Sequence, residues 1–298
     1  MITYDDKKMQ DGFGAQAIRL VGIYSVCSYF RINYLHSPIS VIGNRWELTG
    51  RDISEENYLR WLNLVRQMTQ LSDSSMVASR KQKTVYEHNI GFKKLILLLF
   101  LSIIYKAIGK QLILRLTLPF GIMDRLPKLW EIGALAIRDN FSVFENHDKA
   151  NLVIHYRTGL NSPSQSRPQL SSTYYKDTLG LMVSSGYVEL DSVIIHTDLY
   201  EEDVINQLSS ERVKDFLEFI NFCNKTFKKV NIGYSSTILD TVSDMVMADN
   251  LVVSRSALSY FAGIVNSNRV IYPPSHGHSK LPRWISGCNT PGSLKTFS

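Results

Sequence analysis

Residues 151–160, NLVIHYRTGL, hold the densest chemistry in the chain. Leu152, Val153 and Ile154 form a short apolar run that reads as a buried parallel strand. The run gives way to His155, Tyr156, Arg157, Thr158 and Gly159. The carboxyl end of such a strand is where open α/β sheets bind ligands. An arginine there offers a planar fork of donors that matches a pair of phosphate oxygens. Gly159 lets the backbone approach closely. Two readings stand: a clamp for the diphosphate of a nucleotide sugar, or a strand end whose Arg157 and His155 face water.

Two more strand ends carry polar residues. Residues 191–198, DSVIIHTD, run into His196, Thr197 and Asp198. The apolar residues 251–253 run into Ser254, Arg255, Ser256, Ala257, Leu258 and Ser259, ahead of a helix predicted over 260–265. Hydroxyls and N–H groups from Ser256 to Ser259, opening a helix, make a phosphate seat. A helix over 238–247 puts Asp240 and Asp244 one turn apart on one face. Near the start, Asp11-Gly12-Phe13-Gly14-Ala15-Gln16 reads as a turn between a strand at 2–4 and a helix at 17–31. A glycine pair opening a helix can gather converging N–H groups around an anion or hydroxyl. The pair lacks the third glycine of the dinucleotide fingerprint and reads more simply as a tight turn. His36 ends a strand expected over 32–36 and is a candidate general base, although a lone histidine is more often structural.

The elements that would position these residues alternate. The second half reads as helix 173–186, strand 191–198, helix 209–225, strand 230–234, helix 238–247, strand 251–253, helix 260–265 and strand 269–272. This alternation predicts a parallel sheet with helices on both faces, an α/β fold. The first half reads as a helix opened by a capping box at Asp52-Ile53-Ser54-Glu55 and running to 71, a polar stretch at 72–79, a loop at 117–127, a helix at 128–140 and a linker at 141–149. A chain of 298 residues accommodates two domains, expected over 1–145 and 146–298. Its three cysteines show no metal or disulfide spacing, which points to a reducing compartment. The opening MITYDDKKMQ is no secretory signal, and no long targeting segment is expected before the first motif.

The net charge of +6 is local. Residues 80–115 carry eight basic groups (Arg80, Lys81, Lys83, Lys93, Lys94, Lys106, Lys110 and Arg115) against one acid, Glu87. Everything else is close to neutral, with 25 basic and 26 acidic residues. The block surrounds an apolar run at 95–104, LILLLFLSII, too short for a bilayer span of about 20 residues. It is either a buried core element or an interfacial one, with its lysines on the anionic headgroups of the inner membrane. Nucleic acid is not expected as a partner, because few aromatics accompany the basic residues.

Taken together, these blocks resemble the fucosyltransferase superfamily of bacterial α-1,2-, nodulation α-1,6- and protein O-fucosyltransferases. Gly12-Phe13-Gly14-Ala15-Gln16 is similar to its Gly-x-Gly/Asn-x-Gln turn, and His155, Arg157 and Gly159 to its His-x-Arg-x-Gly block. Thr197-Asp198 looks like its strand-ending pair, and Asp244 with VVSRSALSYFAGIVN like its final helix, strand and serine block. The resemblance implies two Rossmann-like domains facing a cleft, the GT-B architecture. It also implies inverting, metal-independent transfer from a GDP-sugar, with no cofactor, to a glycan or lipid-linked glycan. It puts Arg157 on the β-phosphate with His155 in support. Gly12, Gly14, Gln16, Gly159, Thr197, Asp198, Asp244, Ser254, Ser256 and Ser259 fall on the donor side. The chain departs from the pattern at Leu160, where an Asp is expected, and at Thr158, where the α-1,6 type has a second Arg.

The chemistry agrees. A sugar nucleotide departs as a diphosphate whose charge needs a metal or an Arg with helix-terminal N–H groups. The chain has no Asp-x-Asp motif, which favours the second. Asp11, His36 and Glu47 are candidates for the base that deprotonates the acceptor. The expected setting is the cytoplasmic face of an inner membrane, in O-antigen or capsule synthesis. The rivals are a transferase using another nucleotide sugar and a non-catalytic glycan- or nucleotide-binding module.

Overall fold

The computed structural model describes residues 2–4, 12–34, 82–89, 91–140, 150–160, 169–206, 210–234, 236–274 and 276–288. The chain divides into two compact units. One holds Met1–Phe141 with the return segment His278–Pro282; the other holds Ser142–Gly277 with Arg283–Ser298. The helix expected over 52–71 and the linker at 141–149 lie outside the described residues.

The first unit is built on parallel strands β1 (Ile2–Tyr4), β2 (Gln82–Asn89) and β3 (Gln111–Leu118), in the order β1-β3-β2. Strand β3 is central and apolar on both faces: Leu112, Ile113, Leu114 and Leu116 are all buried. Neither β2 nor β3 was expected from the sequence. Strand β2 lies within the basic block and β3 overlaps its end, and Arg115 interrupts the apolar pattern of β3. Of the strand expected over 32–36, the described part pairs through one parallel bridge, Tyr34 to Ile2.

Helix α1 (Phe13–Tyr29) starts four residues earlier than its expected start at 17. Gly12 is its N-cap in extended conformation, and the wholly buried Phe13 pins the first turn. Gly14 and Gln16 therefore belong to the first turn of a helix, not to a turn before it. The helix is buried on nearly every side because α4 (Leu129–Asn140) crosses it closely. A Cβ on Gly133 would lie 2.5 Å from both Val21 and Ser25, so no side chain fits there. The expected loop at 117–127 contains the end of β3 and a short helix α3 (Phe120–Met123). The return segment is tied to the residue after α3: Ser279 N and Oγ donate to Asp124 Oδ1 and O, each at 3.1 Å.

The apolar run at 95–104 is neither strand nor buried core. It forms most of helix α2 (Phe92–Ala107), whose buried residues are Leu95 and Leu98. Both α1 and α2 end in the same reverse turn. After α2, Gly109 N and Lys110 N donate to Lys106 O and Tyr105 O, with Gly109 at φ 71°. After α1, Arg31 N and Ile32 N donate to Ser28 O and Cys27 O, with Arg31 at φ 52°. Glycine occupies the left-handed position in one case and a side-chain-bearing residue in the other.

The second unit contains β4 (Leu152–Tyr156), β5 (Ser192–Thr197), β6 (Lys229–Tyr234), β7 (Asn250–Val252), β8 (Arg269–Tyr272) and β9 (Ile285–Ser286). All pair in parallel in the order β6-β5-β4-β7-β8-β9. The helices between them are α5 (Ser172–Ser184), α6 (Glu201–Asn206), α7 (Glu211–Thr226), α8 (Ile238–Met247) and α9 (Ala257–Val265). The winding starts in the middle, runs outward through β5 and β6, then returns to the other side of β4. This is the doubly wound, Rossmann-type strand order, and the α/β class expected from the alternation is the class observed. The small strand β9 and helix α6 were not anticipated.

On one sheet face, Ile154, Tyr156 and Ile195 pack with Tyr175, Leu179 and Met182 of α5 and with Phe216 and Phe219 of α7. Tyr156 stacks on Phe219 with ring centroids 5.0 Å apart, and its hydroxyl donates to Asp215 Oδ2 at 2.6 Å. Asp215 also accepts from Ser172 N at 2.9 Å, which ties β4, α5 and α7 together. Helix α5 closes as its Gly186 predicted, in the left-handed conformation at φ 68°. Among the described residues no helix is long and apolar enough to cross a membrane.

Candidate functional site

In this strand order the winding reverses between β4 and β7. Chains leaving those two strands diverge, and their carboxyl ends border a crevice where doubly wound sheets bind ligands. Arg157 and His155 come from β4 and its end. The serine block follows β7. The sheet thus joins two motifs about a hundred residues apart in sequence.

Two hydrogen bonds span the gap. His155 Nδ1 lies 2.8 Å from Ser254 Oγ, and Arg157 Nη1 donates to Ser256 Oγ at 3.0 Å. Ser256 is the N-cap of α9, and its Oγ also accepts from Leu258 N at 3.2 Å. Helix α9 begins at Ala257, three residues before its expected start, because this cap closes its first turn. Ser259 Oγ accepts from Ser254 N at 3.2 Å and lies 3.2 Å from Ser254 Oγ. Ser254 and Ser259 are fully buried and close the turn, whereas Ser256 meets the guanidinium. Arg157 is half-buried against the positive end of a helix. A guanidinium beside the first N–H groups of a helix is an arrangement that favours an anion.

His155 is buried. Burial first, then the charge of Arg157 and the neighbouring His196, pushes its pKa down to about 3. It is neutral near pH 7 and acts through hydrogen bonding.

The loop after β4 is held by the end of β5. Asp198 accepts from Thr158 N at 2.7 Å, Thr158 Oγ1 at 2.8 Å and Gly159 N at 2.8 Å. Gly159 has φ 67°, and a Cβ there would lie 2.7 Å from Gln169 Nε2. Its carbonyl accepts from Arg212 Nη1 at 2.9 Å. Thr197 is buried, with Oγ1 accepting from Leu199 N at 3.4 Å. Asp198 stands where many dinucleotide-binding sheets keep a ribose-binding acid, after the second strand. Here its oxygens hold the neighbouring loop, and no glycine fingerprint accompanies it.

One strand over, the register pairs His155 with His196 and His196 with Gly233. His196 Nε2 lies 2.9 Å from Asp244 Oδ2. A Cβ on Gly233 would lie 2.5 Å from His196 Nδ1, so the ring occupies the space a side chain would take. Asp240, one turn before Asp244, accepts from Thr237 Oγ1 at 2.5 Å, and its N–H donates back to Thr237 Oγ1 at 3.1 Å. The two carboxylates therefore do different work: Asp240 holds the hydroxyl of Thr237, the N-cap of α8, and Asp244 engages a histidine.

The fold brings together His155, Arg157, Ser254, Ser256 and Ser259, and beside them Thr158, Gly159, Thr197 and Asp198. Gly12, Gly14 and Gln16 stand at the start of α1 in the other unit, Gly14 and Gln16 buried. Asp11, His36 and Glu47 lie outside the described residues. The pairing of His196 with Asp244, and Arg212 on the Gly159 carbonyl, were not singled out from sequence. The signal for the first was the same apolar-run-then-histidine pattern at 152–155 and 193–196. Arg212 carried none. Among the described residues, no three His, Cys, Asp or Glu side chains group so as to hold a metal ion.

Fold and site together define a doubly wound α/β unit with His155, Arg157 and the serine block gathered at its switch point. No protein-family model matches the chain, and no curated protein matches it. Two solved structures of the heptosyltransferase WaaC of E. coli are similar over most of their length. The complex with ADP is 10% identical with a TM-score of 0.39, covering 95% of this chain and 92% of that one. The complex with ADP-2-deoxy-2-fluoro heptose is 11% identical with a TM-score of 0.40, covering 98% and 93%.

Proposed function

We propose that the chain is a glycosyltransferase of the GT-B type that binds a nucleotide-sugar donor at the switch point of its second unit. The observation that carries this reading is Arg157 bonded to the N-cap of α9, beside the His155–Ser254 bond. In the transfer, an acceptor hydroxyl oxygen attacks the anomeric carbon. The bond from that carbon to the diphosphate oxygen breaks, and its electron pair leaves with the nucleoside diphosphate. Arg157 and the first N–H groups of α9 stabilise the charge that develops on the departing group. A single displacement inverts the anomeric centre. The proton of the acceptor goes to a base, for which Asp11, His36 and Glu47 are the candidates.

The resemblance of the His155-x-Arg157 and serine blocks to fucosyltransferases supports a GDP-sugar donor, fucose or a relative. The acceptor in this reading is a glycan or lipid-linked glycan of bacterial surface polysaccharide, met at the cytoplasmic face of the inner membrane.

A melting panel with GDP, UDP, ADP, CDP and dTDP, with and without EDTA, tests the reading. A nucleotide at a hundred times its Kd stabilises by about 2.7 kcal/mol. GDP alone should raise the Tm, EDTA should not matter, and Arg157→Ala should remove the shift and cut turnover by orders of magnitude. A shift with another nucleotide would discard the GDP donor and keep the transferase. No shift with any nucleotide, and no turnover, would favour a non-catalytic glycan-binding module.

A further inference from the structure

Helix α2 presents its apolar side outward. Phe100 is 61% exposed and Ile103 66%, and Phe92, Ile96, Leu97 and Ile104 are exposed with them. At roughly 100° per residue these six positions fall in one arc of the helix, opposite Leu95 and Leu98, which pack inward. Soluble surfaces seldom leave so many large apolar side chains contiguous without a partner.

The surroundings point to the partner's chemistry. Lys94 and Lys106 border the arc on either side, Lys93 sits at its amino end, and Lys110 follows the closing Gly109. Lys83, on β2, places its Nζ 5.7 Å from the ring centre of Tyr105. The acid among them, Glu87, is held by Lys94 at 2.6 Å. An aliphatic and phenyl face rimmed by lysines on flexible stems matches an anionic lipid surface. Apolar groups sink below the headgroups while the ammonium groups reach the phosphates. A second copy of this chain fits less well. A two-fold contact sets the patch against itself and brings the two lysine rims together.

We infer that α2 is a membrane-docking element that seats its Phe100 and Ile103 face in an anionic bilayer, with Lys93, Lys94, Lys106 and Lys110 among the headgroups. The inference stands apart from the glycosyltransferase reading and is tested without any sugar.

The test is co-sedimentation with vesicles of phosphatidylcholine alone, or of phosphatidylcholine mixed with phosphatidylglycerol. The wild-type protein should pellet with the anionic vesicles and stay in solution with the neutral ones. Each lysine changed to Gln should cost roughly fivefold in partitioning, and all four together on the order of several hundredfold. Phe100→Ser with Ile103→Ser should lower partitioning at least about tenfold. Both side chains are exposed, so the melting temperature of that variant should stay at the wild-type value. Wild-type protein left in the supernatant with anionic vesicles would overturn the inference. So would wild-type partitioning by the serine variant. Sedimentation velocity gives the remaining arm: a dimer that the serine substitutions dissociate, without vesicle binding, would replace the membrane with self-association.

Discussion

Asp198→Asn tests the idea that the end of β5 holds the loop that follows β4. The carboxylate accepts three hydrogen bonds at 2.7–2.8 Å, from Thr158 N, Thr158 Oγ1 and Gly159 N. Asparagine has nearly the same shape but one carbonyl oxygen. If that oxygen keeps the Thr158 pair, the amide NH2 faces the Gly159 N–H, donor against donor. One backbone N–H in a buried turn then loses its acceptor, which costs about 1–3 kcal/mol. The two retained bonds fall from charged to neutral acceptors, a further loss of around half their strength. Asp198 is half-buried, so water recovers part of this, and the total expected is about 2–3 kcal/mol. Urea unfolding of both proteins reads it directly. Asp191→Asn is the control: Asp191 pairs with Lys228 on the surface, and no measurable change is expected. The same loop carries Arg157, so nucleotide affinity should fall with stability in Asp198→Asn. If Asp198→Asn unfolds with the wild-type midpoint and slope, the three bonds do not hold the loop and the argument from geometry fails.

Other outcomes follow from single positions. His155 has a folded pKa of about 3 against an ordinary value of 6.5, so the unfolded chain takes up its proton first as pH falls. Its contribution to stability is complete above about pH 6.5 and is lost progressively down to about pH 3, at up to roughly 1.4 kcal/mol per pH unit. His155→Asn should flatten that stretch of the stability–pH curve; an unchanged slope would show that other groups set it. Arg31→Gly should raise stability by about 0.5–1 kcal/mol, because an exposed side-chain-bearing residue holds φ 52° at the end of α1. A drop in its melting temperature would mean that the arginine side chain contributes more than the backbone strain costs.

What the chain wrote locally could be read locally. The apolar run at 152–154 and Gly186 at a helix end each act through neighbours a few residues away. Their composition carried the signal. Strands β2 and β3 were harder. Lys83 and Arg115 interrupt their apolar patterns, and β2 forms an edge of the first sheet, where polar residues are tolerated. The glycines at 12 and 14 suggested a turn, yet burial of Phe13 starts the helix there, since packing of an aromatic outweighs the propensity cost of one glycine.

The sequence by itself determined the α/β class, the polar residues closing three strands, and the local nature of the basic charge. These rest on periodicity and on residue type, which need no knowledge of what lies across the sheet. Tertiary structure decided the rest. It set β7 beside β4, so that Ser254 and Ser256 meet His155 and Arg157 across a hundred residues. It turned Asp198 toward a neighbouring loop and aimed Asp244 at His196. It also left most of the run at 95–104 exposed, which the sequence had left open between core and interface. A helix apolar around most of its circumference does not reveal which side it buries. That depends on where the sheet lies, and β3 takes the narrow side with Leu95 and Leu98, leaving the broad one exposed.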